Sequence, residues 1–253
     1  MATMAGAPVP TALRLATSMA LIQFAIGASN DVADAARDGG RTPVKPIAAG
    51  LIRSRSAVVA AGLFAVGGLA LAALSGGGTL LIALAGLTLG LVYNAGLSRS
   101  ALSWVPLTLA LPLVPVFAWY GAAGTLPEVV ATVLPIAMLA GAGLAIGNGL
   151  VDVDMDAQRG RRTTAVALGR PVAWIVQGAA LGAAAGAAWF TLRGDGGAAL
   201  DWPFVVGAVL LVAGTLGLGT RSSVGGRLGW ALEAAGIVVI GLDWVLGAAT
   251  QVP

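Results

Sequence analysis

The stretch TALRLATSMALIQFAIGAS, residues 11–29, runs straight into NDVADAARDGGRTPVKP, residues 30–46. A run of apolar residues carrying one charge, Arg14, is followed at once by Asp31, Asp34 and Asp38, with Arg37, Arg41 and Lys45 among and behind them. The apolar part is close to the about 20 residues that a helix needs to cross a bilayer. The charged part marks where that crossing meets water. Seven further apolar segments follow, at roughly 56–75, 79–97, 102–121, 128–151, 171–192, 203–219 and 228–248. Their apolar residues do not alternate with period two, as the strands of a membrane barrel would. The expected fold is therefore all-α: a polytopic membrane bundle of about eight transmembrane helices around a central cavity.

Composition points the same way. Of the 253 residues, 58% are hydrophobic and 10% charged, and the mean hydropathy is +0.91. Soluble domains carry about 25% charged residues, so this chain lacks the polar surface to stay in water. It has no Cys and no His. That excludes disulfides, thiolate or imidazole metal ligands, and Ser-His or Cys-His nucleophilic triads. Any bound metal must take oxygen ligands, which favours Mg²⁺ or Mn²⁺. No cleavable leader stands out, since the first apolar run passes into acidic sequence without a cleavage site. Pro106, Pro112 and Pro115 fall inside the fourth segment, where a kink is expected. The 38 glycines allow neighbouring helices to approach closely.

Charge placement sets the topology. Twelve of the 14 Lys and Arg residues lie at the ends of the odd-numbered segments; only Arg14 and Arg193 do not. Basic loops stay in the cytoplasm, which puts both termini outside. Asp31, Asp34 and Asp38 follow segment one, and Asp152, Asp154 and Asp156 follow segment five. Four crossings separate the two groups, so both face one compartment, the cytoplasm. Setting DVADAARDGGRT (31–42) on DVDMDAQRGRRT (152–163) pairs the first Asp-Val, the ninth-place Gly and the final Arg-Thr. The offset of four helices is that of a pseudo-repeat of two halves around one cavity.

The acidic spacing carries chemistry. Asp31, Asp34 and Asp38 recur at i, i+3 and i+7, which places three carboxylates on one helix face. Asp152 and Asp156 are again one turn apart, while Asp154 points away. Like charges stacked on one face repel unless a cation sits among them. Mg²⁺ takes one or two carboxylates, several waters and substrate phosphate oxygens. Two such groups facing one cavity read as a two-ion clamp on a diphosphate. Arg41, Lys45, Arg53, Arg99 and Arg162 can neutralise the remaining phosphate charge, and Asn30, on the face of Asp34, is a further candidate to bind the diphosphate. A solvated loop is the plainer reading of either group alone. The shared side, shared spacing and trailing Arg-Thr argue against it for the two together.

These residues resemble the signatures of the UbiA superfamily of intramembrane prenyltransferases, of the 4-hydroxybenzoate polyprenyltransferase type. The motif N-D-x-x-D-x-x-x-D is met in full by Asn30, Asp31, Asp34 and Asp38. The family's Arg-Pro-Ile-x-x-Gly stretch has its counterpart in KPIAAG (45–50), with Lys45 for Arg. The second motif, D-x-x-x-D with a spaced Gly and Thr, is met by Asp152, Asp156, Gly160 and Thr163, then Leu168-Gly169. YNAGLSR, from Tyr93 to Arg99, is similar to the family's region after the third helix.

The resemblance implies a single transmembrane domain over 1–253, with loops 30–55 and 152–170 forming a cytoplasmic cap. It implies Mg²⁺, as two ions, at the five aspartates. It also implies ionisation of an allylic isoprenyl diphosphate and capture of the carbocation by an aromatic or other lipophilic acceptor. Tyr93, Asn94 and Asn148 become candidate substrate contacts. Trp104, Trp119 and Tyr120 are aromatic faces that could stabilise a cation, although Trp and Tyr also anchor membrane interfaces. The expected partners are isoprenyl diphosphate, acceptor and membrane lipid, with no nucleic acid. The expected location is a bacterial cell membrane.

Family members usually carry a helix before the one bearing the first motif, making nine. Here one segment precedes Asn30, so the count is eight, either because that helix is missing or because the start lies too far downstream. Polar handles inside the segments are few: Gln23, Asn94, Asn148, Gln177, Glu233 and Asp243. That scarcity keeps open a terpene cyclase of the same superfamily, which needs no acceptor. A cation or lipid-diphosphate carrier is a further alternative, but its carboxylates would be expected at mid-membrane depth.

Overall fold

The computed structural model describes residues 2–3, 5–36, 44–193, 202–220 and 222–249. Ten α-helices and one 3-10 turn account for the regular structure, and no strand occurs among the described residues. The helices are α1 (Val9–Asp34), α2 (Ser54–Ala73), α3 (Gly77–Ala95), α4 (Val105–Ala123), α5 (Val129–Val151), α6 (Val153–Gln158), α7 (Thr164–Leu168), α8 (Arg170–Arg193), α9 (Trp202–Gly219) and α10 (Ser223–Ala249). Eight of them are long and apolar enough to cross a membrane. Helices are what an apolar environment demands, because each backbone N–H and C=O finds its partner within the segment. The two short ones link α5 to α8, α6 carrying Asp154 and Asp156 and α7 being mostly apolar.

Two boundaries extend beyond the apolar segments. Helix α1 continues past residue 29 to Asp34, so Asn30, Asp31 and Asp34 stand on its last turns. Helix α10 begins at Ser223, before the expected residue 228. Its start, SVGGRLG, reads as loop by composition, yet Ser222 supports it. The Gly225 N–H donates to Ser222 Oγ at 3.2 Å, and the Gly226 N–H donates to the Ser222 carbonyl at 2.8 Å. A serine accepting from the first turn is the standard N-cap device.

The chain divides into two compact units. One comprises residues 1–97 and 113–126, the other 98–112 and 127–253. Helix α4 supplies residues to both, and the division falls between Pro112 and Leu113. The prolines do not end α4.

In the first unit α1 packs most extensively on α2. Ser18 Oγ donates to the Gly68 carbonyl at 2.7 Å, and a Cβ at Gly68 would stand 3.0 Å from the Ser18 carbonyl. Leu15, Ile22, Ala25, Ala72, Ala83, Leu87 and Phe117 form the core. In the second unit α5 packs most extensively on α8, and α9 on α10. The α9–α10 crossing is backbone on backbone. A Cβ at Gly229 would lie 2.6 Å from the Gly214 carbonyl oxygen and 2.7 Å from the Leu218 nitrogen. Only small residues permit such an approach, and in lipid close packing is a principal force holding helices together.

Gly229→Ala should therefore force α9 and α10 apart and cost about 1–3 kcal/mol. Gly86→Ala, where nothing lies within 4 Å of the added Cβ, should leave stability unchanged or slightly raised. Thermal unfolding in detergent measures both; equal effects would contradict the crossing described.

Candidate active site

Each unit carries one acidic motif at the end of a spanning helix. In the first, Asn30, Asp31 and Asp34 occupy the last turns of α1 and are partly exposed. Asp31 and Asp34 are three residues apart and share a face. Asp38 and Arg41 lie outside the described residues. Lys45 Nζ stands 2.9 Å from Asp31 Oδ1 and ties the following loop to the helix end. That loop closes on itself: the Gly50 N–H donates to the Ile47 carbonyl at 3.0 Å and the Leu51 N–H to the Pro46 carbonyl at 2.9 Å. Gly50 has φ +74°, a left-handed conformation that glycine adopts without steric cost. The KPIAAG stretch is thus one tight turn with Lys45 at its mouth.

An apolar cavity of about 350 Å³ lies within this unit, on the face of α1 opposite Asp31 and Asp34. Ser29, Val32 and Ala33 of α1, Val58, Ala61 and Ala65 of α2, and Leu87, Leu91 and Asn94 of α3 are among its lining residues. Asn94 is buried, and its Nδ2 donates to the Ile26 carbonyl at 2.9 Å, so its amide joins α3 to α1. Tyr93, one residue earlier, is half-buried.

In the second unit α5 ends at Val151, and Asp152 (φ −110°, ψ 11°) is the joint from which α6 departs. The Asp156 N–H donates to the Asp152 carbonyl at 2.8 Å, which keeps the two acids one turn apart. Asp152 is partly exposed, whereas Asp156 is buried and Arg161 Nη1 donates to its Oδ1 at 2.9 Å. Asp154 points elsewhere and pairs with Arg170 at 2.7 Å, largely in solvent.

The turn that brings Arg161 back is a Schellman motif. Gly160, at φ +68°, donates to the Ala157 carbonyl at 3.1 Å, and the Arg161 N–H donates to the Asp156 carbonyl at 2.9 Å. A left-handed glycine one place past the helix cap is what this closure requires. Thr163 then caps α7, accepting from the Val166 N–H at 3.4 Å.

The loop after α3 joins this motif. The Arg162 N–H donates to the Arg99 carbonyl at 3.2 Å, so two candidate phosphate ligands 63 residues apart in sequence become backbone neighbours. Arg162 itself is exposed, as is Asn148 on α5. Trp104 packs with Trp174 and Trp230 around Leu150, Val153 and Ala165. Trp119 and Tyr120 stand near the other end of α4, about 20 Å along the axis from Val105.

Two intramembrane polar residues are sealed. Gln177 and Glu233 are both fully buried, and Thr215 Oγ1 donates to Glu233 Oε1 at 2.8 Å. Gly147 makes room for them: a Cβ there would lie 3.0 Å from Glu233 Oε2 and 3.5 Å from Gln177 Oε1.

Sequence reasoning selected Arg162 and passed over Arg161. The pair Asp156–Arg161 is an i, i+5 spacing, one that no continuous helix makes. The available signal was Gly160, whose left-handed turn makes the pairing possible. Among the described residues no three acidic, His or Cys side chains come together as a metal-binding group. Each motif taken alone offers two carboxylates at a helix end, a donor set that suits Mg²⁺ sharing its sphere with water and phosphate oxygens.

The profile of the UbiA prenyltransferase family matches residues 1–244. The chain belongs to that family of intramembrane prenyltransferases. No curated protein matches it. Among solved structures it is similar to the apo form of a UbiA homolog from Aeropyrum pernix K1. That pair has 20% identity and a TM-score of 0.74, over 97% of this chain and 93% of that one. It is also similar to a digeranylgeranylglyceryl phosphate synthase, at 16% identity and TM-score 0.68, over 96% and 88%. A UbiA homolog from Archaeoglobus fulgidus bound to GPP and Mg²⁺ matches at 20% identity and TM-score 0.62, over 94% and 90%. These likenesses establish the shared all-helical membrane fold.

Arg161→Ala should lower stability by about 1–3 kcal/mol, because it removes the donor to a buried carboxylate. Arg162→Ala, at an exposed side chain, should stay within about 0.5 kcal/mol. Thermal unfolding of the two variants compares them, and a larger loss for Arg162→Ala would contradict the pairing.

Proposed function

We propose that this protein is a Mg²⁺-dependent prenyltransferase that ionises an allylic isoprenyl diphosphate and transfers the prenyl group to an aromatic or other lipophilic acceptor. The observation that carries the reading is the pair of acidic helix ends, Asp31 and Asp34 on the last turn of α1 and Asp152 and Asp156 where α5 gives way to α6, each with a cation beside it, Lys45 or Arg161. A diphosphate headgroup needs charge and water; a prenyl tail needs neither. Those helix ends offer charge and water to the headgroup, and the apolar spans offer hydrocarbon to the tail. The structural neighbour bound to GPP and Mg²⁺ supports the choice of substrate class and metal.

In this reading Asp31, Asp34 and Asp38 hold one Mg²⁺, and Asp152 and Asp156 hold another. Bound Mg²⁺ supplies electrostatic stabilisation of the departing diphosphate as its charge develops. Asn30, Lys45, Arg41, Arg99 and Arg162 bind the phosphate oxygens. Arg161 fixes Asp156. Tyr93, Asn94 and Asn148 contribute to substrate binding. The C–O bond to the diphosphate breaks, the allylic cation is captured by the acceptor carbon or oxygen, and the acceptor's proton leaves.

A second reading, cyclisation of the prenyl diphosphate without an acceptor, is favoured by one observation. Three interior polar groups are already committed or sealed, Asn94 on the Ile26 carbonyl and Gln177 and Glu233 with no exposed surface, while Asn148 is exposed. Few handles are left to orient an acceptor. Membership of a prenyltransferase family keeps transfer first.

Asp31→Ala and Asp152→Ala should each cut diphosphate release at least about 100-fold while unfolding at the wild-type temperature, since both sit at partly exposed helix ends. EDTA should stop turnover and Mg²⁺ restore it. Near-normal rates in either variant, or turnover in EDTA, would sink the two-ion scheme. The motif loops should also face the cytoplasm. The chain lacks Cys, so Thr125→Cys should react with an impermeant maleimide in intact cells, and Arg159→Cys only after permeabilisation. The reverse pattern would overturn the orientation.

A further inference from the structure

We propose that Ser103 and Thr164 form a hydroxyl clasp that holds Arg99 and Arg162 side by side as one diphosphate-binding unit. The inference rests on the reading above that these arginines bind diphosphate, and assigns the residues that position them. Neither Ser103 nor Thr164 belongs to a sequence motif, and both lie in the second unit.

The hydrogen bonds can be assigned proton by proton. Thr164 Oγ1 donates to the Ala101 carbonyl at 3.0 Å, which uses its only proton. The 2.9 Å contact between Ser103 Oγ and Thr164 Oγ1 must then be donated by Ser103. Ser103 Oγ in turn accepts from the Thr164 N–H at 3.2 Å. Each hydroxyl thus donates once and accepts once, and Thr164 is buried. With the Arg162 N–H to Arg99 carbonyl bond, four hydrogen bonds join two loops separated by about 60 residues.

The clasp fixes the two arginine-bearing loops together before substrate arrives, and so lowers the ordering cost of binding. It touches no reacting atom. Ser103 and Thr164 are therefore positioning residues, and their loss should weaken diphosphate binding in ground state and transition state alike. Such a loss raises KM and leaves kcat nearly unchanged.

The test uses the full-length protein in detergent with Mg²⁺. Affinity for inorganic diphosphate is measured by calorimetry, and steady-state kinetics with a prenyl diphosphate are run beside it. Ser103→Ala and Thr164→Val should each weaken diphosphate binding and raise KM about tenfold, with kcat within about twofold, as expected for losing a buried hydrogen bond. Thr164→Ser, which keeps the hydroxyl, should restore both. In an Arg162→Ala background, Ser103→Ala should add little further loss. Unchanged diphosphate affinity in Ser103→Ala and Thr164→Val overturns the clasp, as does a lower unfolding temperature alone. Wild-type protein that does not bind diphosphate overturns it too. Wild-type protein that binds diphosphate but turns over no prenyl diphosphate defeats the transferase reading and leaves the clasp to be judged by the calorimetry.

Discussion

Charge is costly in hydrocarbon, and that cost organises this molecule. A carboxylate at the centre of a bilayer must be paired, neutralised or moved to where water reaches it. Here the acids of both motifs sit at helix ends. Asp31 and Asp34 occupy the last turns of α1, and Asp152 is the joint between α5 and α6. Among the described residues the buried motif acid, Asp156, has a guanidinium on it. Within the spans, Glu233 is sealed among α5, α8, α9 and α10 and accepts from Thr215. The rest of the spans is mostly apolar or small. The chemistry the family performs needs this division: a charged headgroup at the boundary and a greasy tail below it.

The two motif regions are built alike. In each unit the motif helix packs most extensively on the next spanning helix, α1 on α2 and α5 on α8. In each, the following loop contains a turn closed by a left-handed glycine with the same pair of backbone hydrogen bonds, at Gly50 and at Gly160. In each, a cation returns to a motif carboxylate, Lys45 to Asp31 and Arg161 to Asp156. The two glycines are not at aligned positions, since the weak repeat pairs Gly160 with Gly39, outside the described residues. The likeness is therefore one of parts, a tight turn beside a basic side chain that pairs with a motif acid, with Lys45 before its turn and Arg161 after it.

Most of the fold was legible in the sequence because hydropathy alone fixes it. A span of about 20 apolar residues has few alternatives to a helix, and the eight segments match eight helices within a few residues, apart from the ends of α1 and α10. The motif aspartates were legible for a similar reason: their i, i+3 and i, i+4 spacings are local. What escaped was whatever depended on a turn or on distant partners. The Asp156–Arg161 pair needs the reversal at Gly160. The Ser103–Thr164 clasp joins residues 61 apart and leaves no periodic trace. The start of α10 was hidden by glycines whose helix is held by the Ser222 cap. Composition sees none of these, because each is a hydrogen bond whose geometry exists only after the helices have packed.

The central claim is that the chain ionises a prenyl diphosphate. The most direct measurement is to incubate purified protein with Mg²⁺ and C10, C15 and C20 prenyl diphosphates, with and without a membrane extract, and to assay inorganic diphosphate together with lipid products by mass spectrometry. The account predicts diphosphate release with at least one chain length, accompanied by a prenylated acceptor when extract is present. A cyclic hydrocarbon formed without extract would keep the ionisation chemistry and replace the transfer step. No diphosphate release with any chain length, with or without extract, would contradict the account.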